Sequence, residues 1–174
     1  LTDMNQPLGR MAGNAVEVNE KVDALQGEGP DDLMHVTLAL GAELLRLADV
    51  GHDIEANKHT LQTHIESGAA LEKFREMVAA QGGNLDAARP VAPSRELVAS
   101  AAGYVHAVNA QALGEAIIEL GGGRKTLSDP IDHSVGLEML VRLGDAVKPG
   151  QPLVRIFGQG DQADRSVTMI EAAI

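Results

Sequence analysis

Cysteine is absent from this 174-residue sequence, and aromatic residues make up only 2% of it: Tyr104, Phe74 and Phe157, with no tryptophan. Without cysteine there are no disulfides, thiol nucleophiles or thiolate metal sites, a composition that suits a reducing cytosol. So few aromatics leave almost nothing from which to build a stacking surface for bases or sugars. No run approaches the roughly 18 apolar residues that cross a bilayer, and no basic-then-apolar leader opens the chain. Basic residues are scarce too, 14 Lys and Arg against 25 Asp and Glu, for a formal charge of −11. Such a surface repels phosphate backbones and anionic lipid, which argues against nucleic-acid or membrane binding. What is plentiful is apolar aliphatic residue, 44% hydrophobic overall, enough for a buried core.

The first half reads as helices. Residues 14–27 form one, with Val16, Val22 and Leu25 at helical spacing and Gly27 at the end. Residues 30–49 form a second, begun by Pro30, Asp31 and Asp32, which place proline and acidic charge at the positive pole. Leu33, Val36, Thr37, Leu40, Leu44 and Leu47 make its expected buried stripe, and Leu38 and Leu45 widen it, predicting packing on more than one side. Further helices are expected over 53–66 and from Leu71 to Gly82-Gly83.

Residues 84–95, with Pro90 and Pro93, cannot be helical and read as a connection. Beyond them, β-like runs fall at 96–100, 103–108, 135–143 and 153–157, with helices at 110–120 and 161–173. The expected organisation is a helical segment over 1–83, the connection 84–95, and an α+β segment over 96–174 containing a hairpin. The opening Leu1-Thr2-Asp3-Met4, with no initiator, leader or polar tail, suggests a piece cut from a longer polypeptide.

Few residue groups suggest chemistry. His52, His59 and His64 lie in or beside the third helix, but His59 and His64 are spaced so as not to share a face. His35 is expected at a packed helix edge, and His106 and His133 have no Ser or Cys partner recognisable by spacing. Gly121-Gly122-Gly123-Arg124-Lys125-Thr126 looks like a phosphate cradle, yet Arg124 stands where the Walker spacing needs glycine. Those glycines also end a helix, at its negative pole, so a terminus and loop is expected. Gly144-Asp145-Ala146-Val147-Lys148-Pro149-Gly150-Gln151-Pro152-Leu153 resembles a hairpin of biotinyl and lipoyl carrier domains. The Met-Lys-Met or Asp-Lys-Ala surroundings of a modifiable lysine do not occur, although Lys125 and Lys148 are the places where an adduct would be sought.

The most informative stretch is Thr2-Asp3-Met4-Asn5-Gln6-Pro7-Leu8-Gly9 followed by Gly13-Asn14-Ala15-Val16-Glu17-Val18, a polar loop feeding a helix. Together with Leu38 to Leu45, Phe74 to Val78, Gly103-Tyr104-Val105, Ala112-Leu113-Gly114, Gly121 to Lys125 and Asp129 to Gly136, it resembles the thymidine and pyrimidine-nucleoside phosphorylase family. The resemblance runs through nearly the whole chain and corresponds to the C-terminal part of the family's chain.

That resemblance implies an α/β (α+β) fold: the end of a large mixed-sheet domain, carrying an α+β subdomain. It implies reversible phosphorolysis of a pyrimidine nucleoside, with inorganic phosphate as co-substrate, by a cytoplasmic homodimer that dimerises largely through a helical domain. The family's phosphate-gripping Lys, Ser and Thr and its base-gripping Arg, Ser and Lys match no position here. No catalytic or substrate-binding residue is therefore assigned, and the chain alone is expected to be silent. One feature carries over, a potassium ion held by the carbonyls of Leu8 and Met11 and the carboxylate of Glu20. The competing reading is a biotinyl- or lipoyl-like binding or carrier module without catalysis.

Overall fold

The computed structural model describes residues 3–174; Leu1 and Thr2, the latter opening the motif quoted above, lie outside the described residues. In chain order the elements are β1 (Met11–Gly13), α1 (Ala15–Leu25), α2 (Asp31–Leu47), α3 (Ile54–Glu66), α4 (Ala69–Ala80), β2 (Ser94–Val98) and β3 (Gly103–Tyr104). There follow α5 (Ala110–Glu119), β4 (Gly136–Met139), β5 (Ala146–Val147), β6 (Pro152–Phe157) and α6 (Gly160–Glu171). This is an α+β fold, as expected. The chain divides into two compact units, one of residues 1–18 and 89–174, the other of residues 19–88.

The first unit is built on a four-stranded antiparallel sheet in the order β1-β4-β6-β2, with β3 and β5 as a separate pair. Strand alternation sorts the faces. Leu137 and Met139 of β4 lie opposite Ile156 and Val154 of β6, all four buried. Against them pack Leu113, Ala116 and Leu120 from the α5 region and Ala163 and Ile170 from α6. Each of the Leu, Ile, Val and Met side chains contributes about 1.5–3 kcal/mol when fully withdrawn from water, the alanines less. The alternate positions carry charge: Arg155 of β6 sits between Glu138 of β4 and Glu96 of β2 and pairs with both, at 2.5 and 3.0 Å. The α5–α6 contact is fixed by the fully buried Ser166, whose hydroxyl faces the carbonyls of Ala116 (3.1 Å) and Gln162 (2.9 Å). The Asn109 side chain caps α5 by accepting from the Ala112 amide at 3.0 Å.

Two differences from expectation occur here. Residues 11–13 read as loop, yet they form β1, because β4 offers them a ladder: Met11, Ala12 and Gly13 register with Glu138, Leu137 and Gly136. The second is β5, a strand inside the connection of the expected hairpin: the runs at 135–143 and 153–157 pair as β4–β6, the Lys148-Pro149-Gly150 turn lies between them with Gly150 at φ +78°, and β5 pairs with β3.

The second unit is helical. α3 starts at Asp53, whose carboxylate accepts from the Ala56 amide at 2.8 Å. It packs on α2 where Gly41 lets Leu61 approach; a Cβ at Gly41 would lie 2.7 Å from Leu61 Cδ1. The buried Asn57 ties the pair together, donating to the carbonyls of Ala42 (3.1 Å) and Gly51 (2.9 Å). Arg75 of α4 closes the following turn with ion pairs to Glu72 and Asp86. α2 departs from expectation. Leu33 is buried, but of the expected stripe Thr37 is exposed, and Leu40, Leu44 and Leu47 are 60, 66 and 71% exposed. The more buried side is instead Leu38, Gly41, Ala42 and Leu45, where small residues permit close helix contact.

Candidate functional site

All the motifs of the family resemblance except Leu38 to Leu45 and Phe74 to Val78 lie in the first unit. The N-terminal loop is held along β4 by three contacts. The Gln6 side-chain carbonyl accepts from the Leu143 amide at 3.0 Å. The Pro7 carbonyl accepts from Arg142 Nη1 at 2.9 Å, and the Arg10 carbonyl from the Met139 amide at 2.8 Å. Where loop becomes helix, the Gly13 amide donates to Glu17 Oε1 at 2.9 Å and the Ala15 amide to the His133 carbonyl at 3.0 Å. The Asn14 side-chain amide donates to the Gly122 carbonyl at 2.8 Å, joining this corner to the triple-glycine loop.

Glycine is required at this corner. Gly13 has φ +148°, and a Cβ there would lie 2.9 Å from both Gly136 Cα and the Val135 carbonyl oxygen. A Cβ on Gly136 would in turn come within 2.8 Å of the Ala12 oxygen. The two backbones therefore touch with no side chain between them.

The triple glycine is a helix terminus, as its position after α5 indicated. Gly121 takes φ +98°, and the Gly121 and Gly122 amides turn back to the carbonyls of Ile118 and Ile117. The loop beyond is internally satisfied. Asp129 accepts from the Thr126 hydroxyl and from the amides of Thr126 and Lys125, contacts that hold its carboxyl below the usual range, the Thr126 hydroxyl most strongly. Asp132 is held low in the same way by the Ser134 hydroxyl and amide. The Lys125 ammonium pairs with Glu119, whose carboxyl is lowered by Lys125 and then by Arg165. Arg124 donates to the Asp129 backbone carbonyl at 3.2 Å, so both cations of the loop are engaged within the protein.

All six histidines are exposed, His35 included, rather than at a packed edge. Among the described residues no three His, Asp or Glu side chains gather as a metal-binding group. Of the potassium candidates, Leu8 is 47% exposed between the two engaged carbonyls of Pro7 and Arg10, and Met11 is half-buried at the start of β1. Glu20, on α1, is only 5% exposed, with Lys21 Nζ 3.7 Å from its carboxylate. Backbone oxygens and a carboxylate suit a hard monovalent cation. Leu8 and Met11 belong to the first unit and Glu20 to the second.

Sequence reasoning missed Gln6 and Arg142 as anchors of the loop, and nothing local to either residue marks them. It also missed Glu17, for which a signal existed: Asn14-Ala15-Val16-Glu17 has the spacing of a capping box.

Residues 104–174 match the family model described as the pyrimidine nucleoside phosphorylase C-terminal domain. That segment, which carries α5, β4, β5, β6 and α6, is similar to a domain of the nucleoside phosphorylase class. Two curated relatives extend the match to the rest of the chain. A protein named pyrimidine-nucleoside phosphorylase from Geobacillus stearothermophilus is 41% identical over 94% of this chain and 39% of its own length. One of the same name from Staphylococcus haemolyticus is 37% identical over 100% of this chain and 42% of its own. Over its length the chain is similar to pyrimidine-nucleoside phosphorylases, and it spans about two fifths of the length of these relatives.

Among the described residues no helix is long and apolar enough to cross a membrane.

Proposed function

We propose that this chain is the C-terminal scaffold of a cytoplasmic, homodimeric phosphorylase acting on thymidine or another pyrimidine nucleoside. In that reaction a phosphate oxygen bonds to the sugar C1′ as the bond from C1′ to the base nitrogen breaks. The base leaves with the bonding pair and takes up a proton, giving free base and pentose 1-phosphate. Positive charge develops on the sugar and negative charge on the base, so the enzyme must hold an anion on one side and donors on the other. The observation that supports the reading is the meeting of three family motifs, the N-terminal loop and Gly13-Asn14 turn, Gly121 to Lys125 and Asp129 to Gly136, at the glycine corner, where every named contact is structural. The residues that grip phosphate and base are expected from the part of the relatives' length outside this match.

On the family resemblance, Leu8 and Met11 would offer carbonyl oxygens and Glu20 its carboxylate to a potassium ion. The carrier alternative needs a free, modifiable lysine; Lys125 is instead paired with Glu119.

The test is phosphate-dependent release of thymine from thymidine, followed by chromatography. Two proteins are compared: the 174-residue chain, and a chimera in which it replaces the matched 39% of the Geobacillus relative. The chain alone should be inactive and the chimera active. Turnover by the chain alone refutes the scaffold role; a folded but inactive chimera refutes the functional reading. Replacing potassium by sodium, and Glu20→Gln, should each lower the chimera's thermal midpoint. A biotinyl or lipoyl mass increment on Lys125 or Lys148 would favour the carrier reading.

A further inference from the structure

Arg142 and Leu143 stand in the turn that follows β4, and that turn is braced. The Arg142 amide donates to Asp145 Oδ2 at 2.7 Å, the Gly144 amide to the Val105 carbonyl and the Val105 amide to the Asp145 carbonyl, both at 2.9 Å. Val105 and Val141, next to these contacts, are buried. From this base the Arg142 guanidinium reaches the Pro7 carbonyl at 2.9 Å, and the Leu143 amide reaches the Gln6 side chain at 3.0 Å. Gln6 and Arg142 thereby clasp the N-terminal loop to the turn.

The clasp decides which loop carbonyls are drawn toward the sheet. Arg142 draws in that of Pro7, and the Met139 amide draws in that of Arg10 at 2.8 Å. With Met11 in register with Glu138, this last bond makes Met11–Glu138 a non-hydrogen-bonded pair of the ladder. The Met11 carbonyl is therefore directed away from β4, on the outer edge of the sheet that β1 forms. Leu8 lies between the two anchored carbonyls, and the buried Gly9 after it takes φ +70°, a turn glycine makes without strain. Leu8 and Met11 are the residues whose carbonyls the family resemblance offers to potassium, and oxygen ligands suit that hard cation.

We propose that Gln6 and Arg142 are positioning residues for this cation: by tying the loop to the turn after β4 they set the Leu8 and Met11 carbonyls in place, without being ligands themselves. This rests on the reading of Leu8 and Met11 as cation ligands. Arg142 is itself positively charged, so by charge alone it opposes a potassium ion nearby. Its removal should tighten potassium binding if charge were its only effect, and weaken it if the clasp matters more.

The test uses the chimera with the Geobacillus relative, freed of potassium. The measured quantity is the potassium concentration that gives half of the rise in thermal midpoint, with tetramethylammonium chloride keeping ionic strength constant. Arg142→Met keeps the stem and removes the donors; Gln6→Met removes the acceptor without a change of charge. Each should need about 10–100-fold more potassium, the usual cost of losing a group that orients a metal ligand. Arg95→Met, which removes a cation of the same unit paired with Asp164, should need no more than the parent. Excess potassium should also restore thymine release to both clasp variants well below their midpoints, a rescue that a merely weakened fold would not show.

If Arg142→Met does not fold, Gln6→Met decides alone. An unchanged or lower potassium requirement overturns the proposal, even where the midpoint without potassium falls, since the clasp then serves stability only. A parent chimera that does not respond to potassium refutes the cation reading and this inference together. A chimera that releases no thymine, yet needs more potassium in both variants, refutes the functional reading and leaves the clasp standing.

Discussion

Replacing Gly13 by alanine separates two contributions at the glycine corner. Alanine at φ +148° costs about 1–3 kcal/mol in backbone strain. Its Cβ would also stand 2.9 Å from two backbone atoms, Gly136 Cα and the Val135 oxygen, which cannot rotate away. Forcing the sheet edge to yield adds about 1–3 kcal/mol. Gly144→Ala isolates the first contribution, since Gly144 has φ +90° but nothing within 4 Å of the added carbon. Gly103→Ala removes both, having neither a positive φ nor a neighbour within 4 Å, and should be neutral or stabilising by up to about 1 kcal/mol. The expected order of thermal midpoints, followed by circular dichroism at 222 nm, is Gly103→Ala highest, then Gly144→Ala, then Gly13→Ala. At about 2–4 °C per kcal/mol for a chain of this size, Gly13→Ala should melt on the order of 10 °C below the parent. If Gly13→Ala melts no lower than Gly144→Ala, the close approach of β1 to β4 is not what demands glycine.

Asn57→Ala should destabilise the helical unit by about 2–3 kcal/mol, because the buried Ala42 carbonyl and the part-buried Gly51 carbonyl lose their donor; urea unfolding measures it, and a loss under about 0.5 kcal/mol would contradict the assigned hydrogen bonds. Acid should weaken the loop that follows the triple glycine. Asp129 and Asp132 have carboxyls lowered in the folded state, so their contribution is complete above the ordinary carboxylate pKa of about 4 and is lost as pH falls through the folded values. Thermal midpoints between pH 6 and 2 should fall less steeply for Asp129→Asn with Asp132→Asn than for the parent, and parallel curves would reject the linkage. Arg155→Met should lower stability more at low than at high salt, since it strands Glu138 and Glu96 of the sheet; a salt-independent effect would point to lost packing instead.

The helices were readable because their ends are written locally. Pro30 with its two aspartates, Asp53, Asn109 and the glycines at 82 and 121 mark boundaries within a residue or two. Which side of α2 faces inward was not readable. Leu33, Leu40, Leu44 and Leu47 satisfy helical spacing as well as the opposite side does, and the decision rests on Gly41 admitting Leu61, a contact 20 positions away. β1 was invisible for a similar reason: Met-Ala-Gly carries no strand pattern, and only β4 makes it one. At the candidate site the motif was legible as a unit. The role of its parts was not, because Gln6 and Asn14 act through partners more than a hundred positions distant.

Those long spans order events during synthesis. Asn14 leaves the ribosome 108 positions before Gly122, the residue it must bind. At roughly 5–20 residues per second, the N-terminal loop waits about 5–20 s for its partner to be made. Meanwhile the helices encoded in between can find one another through near neighbours in sequence, as local contacts form first. Within this stretch the helical unit therefore forms first, and the glycine corner is a late closure between segments made 108 positions apart.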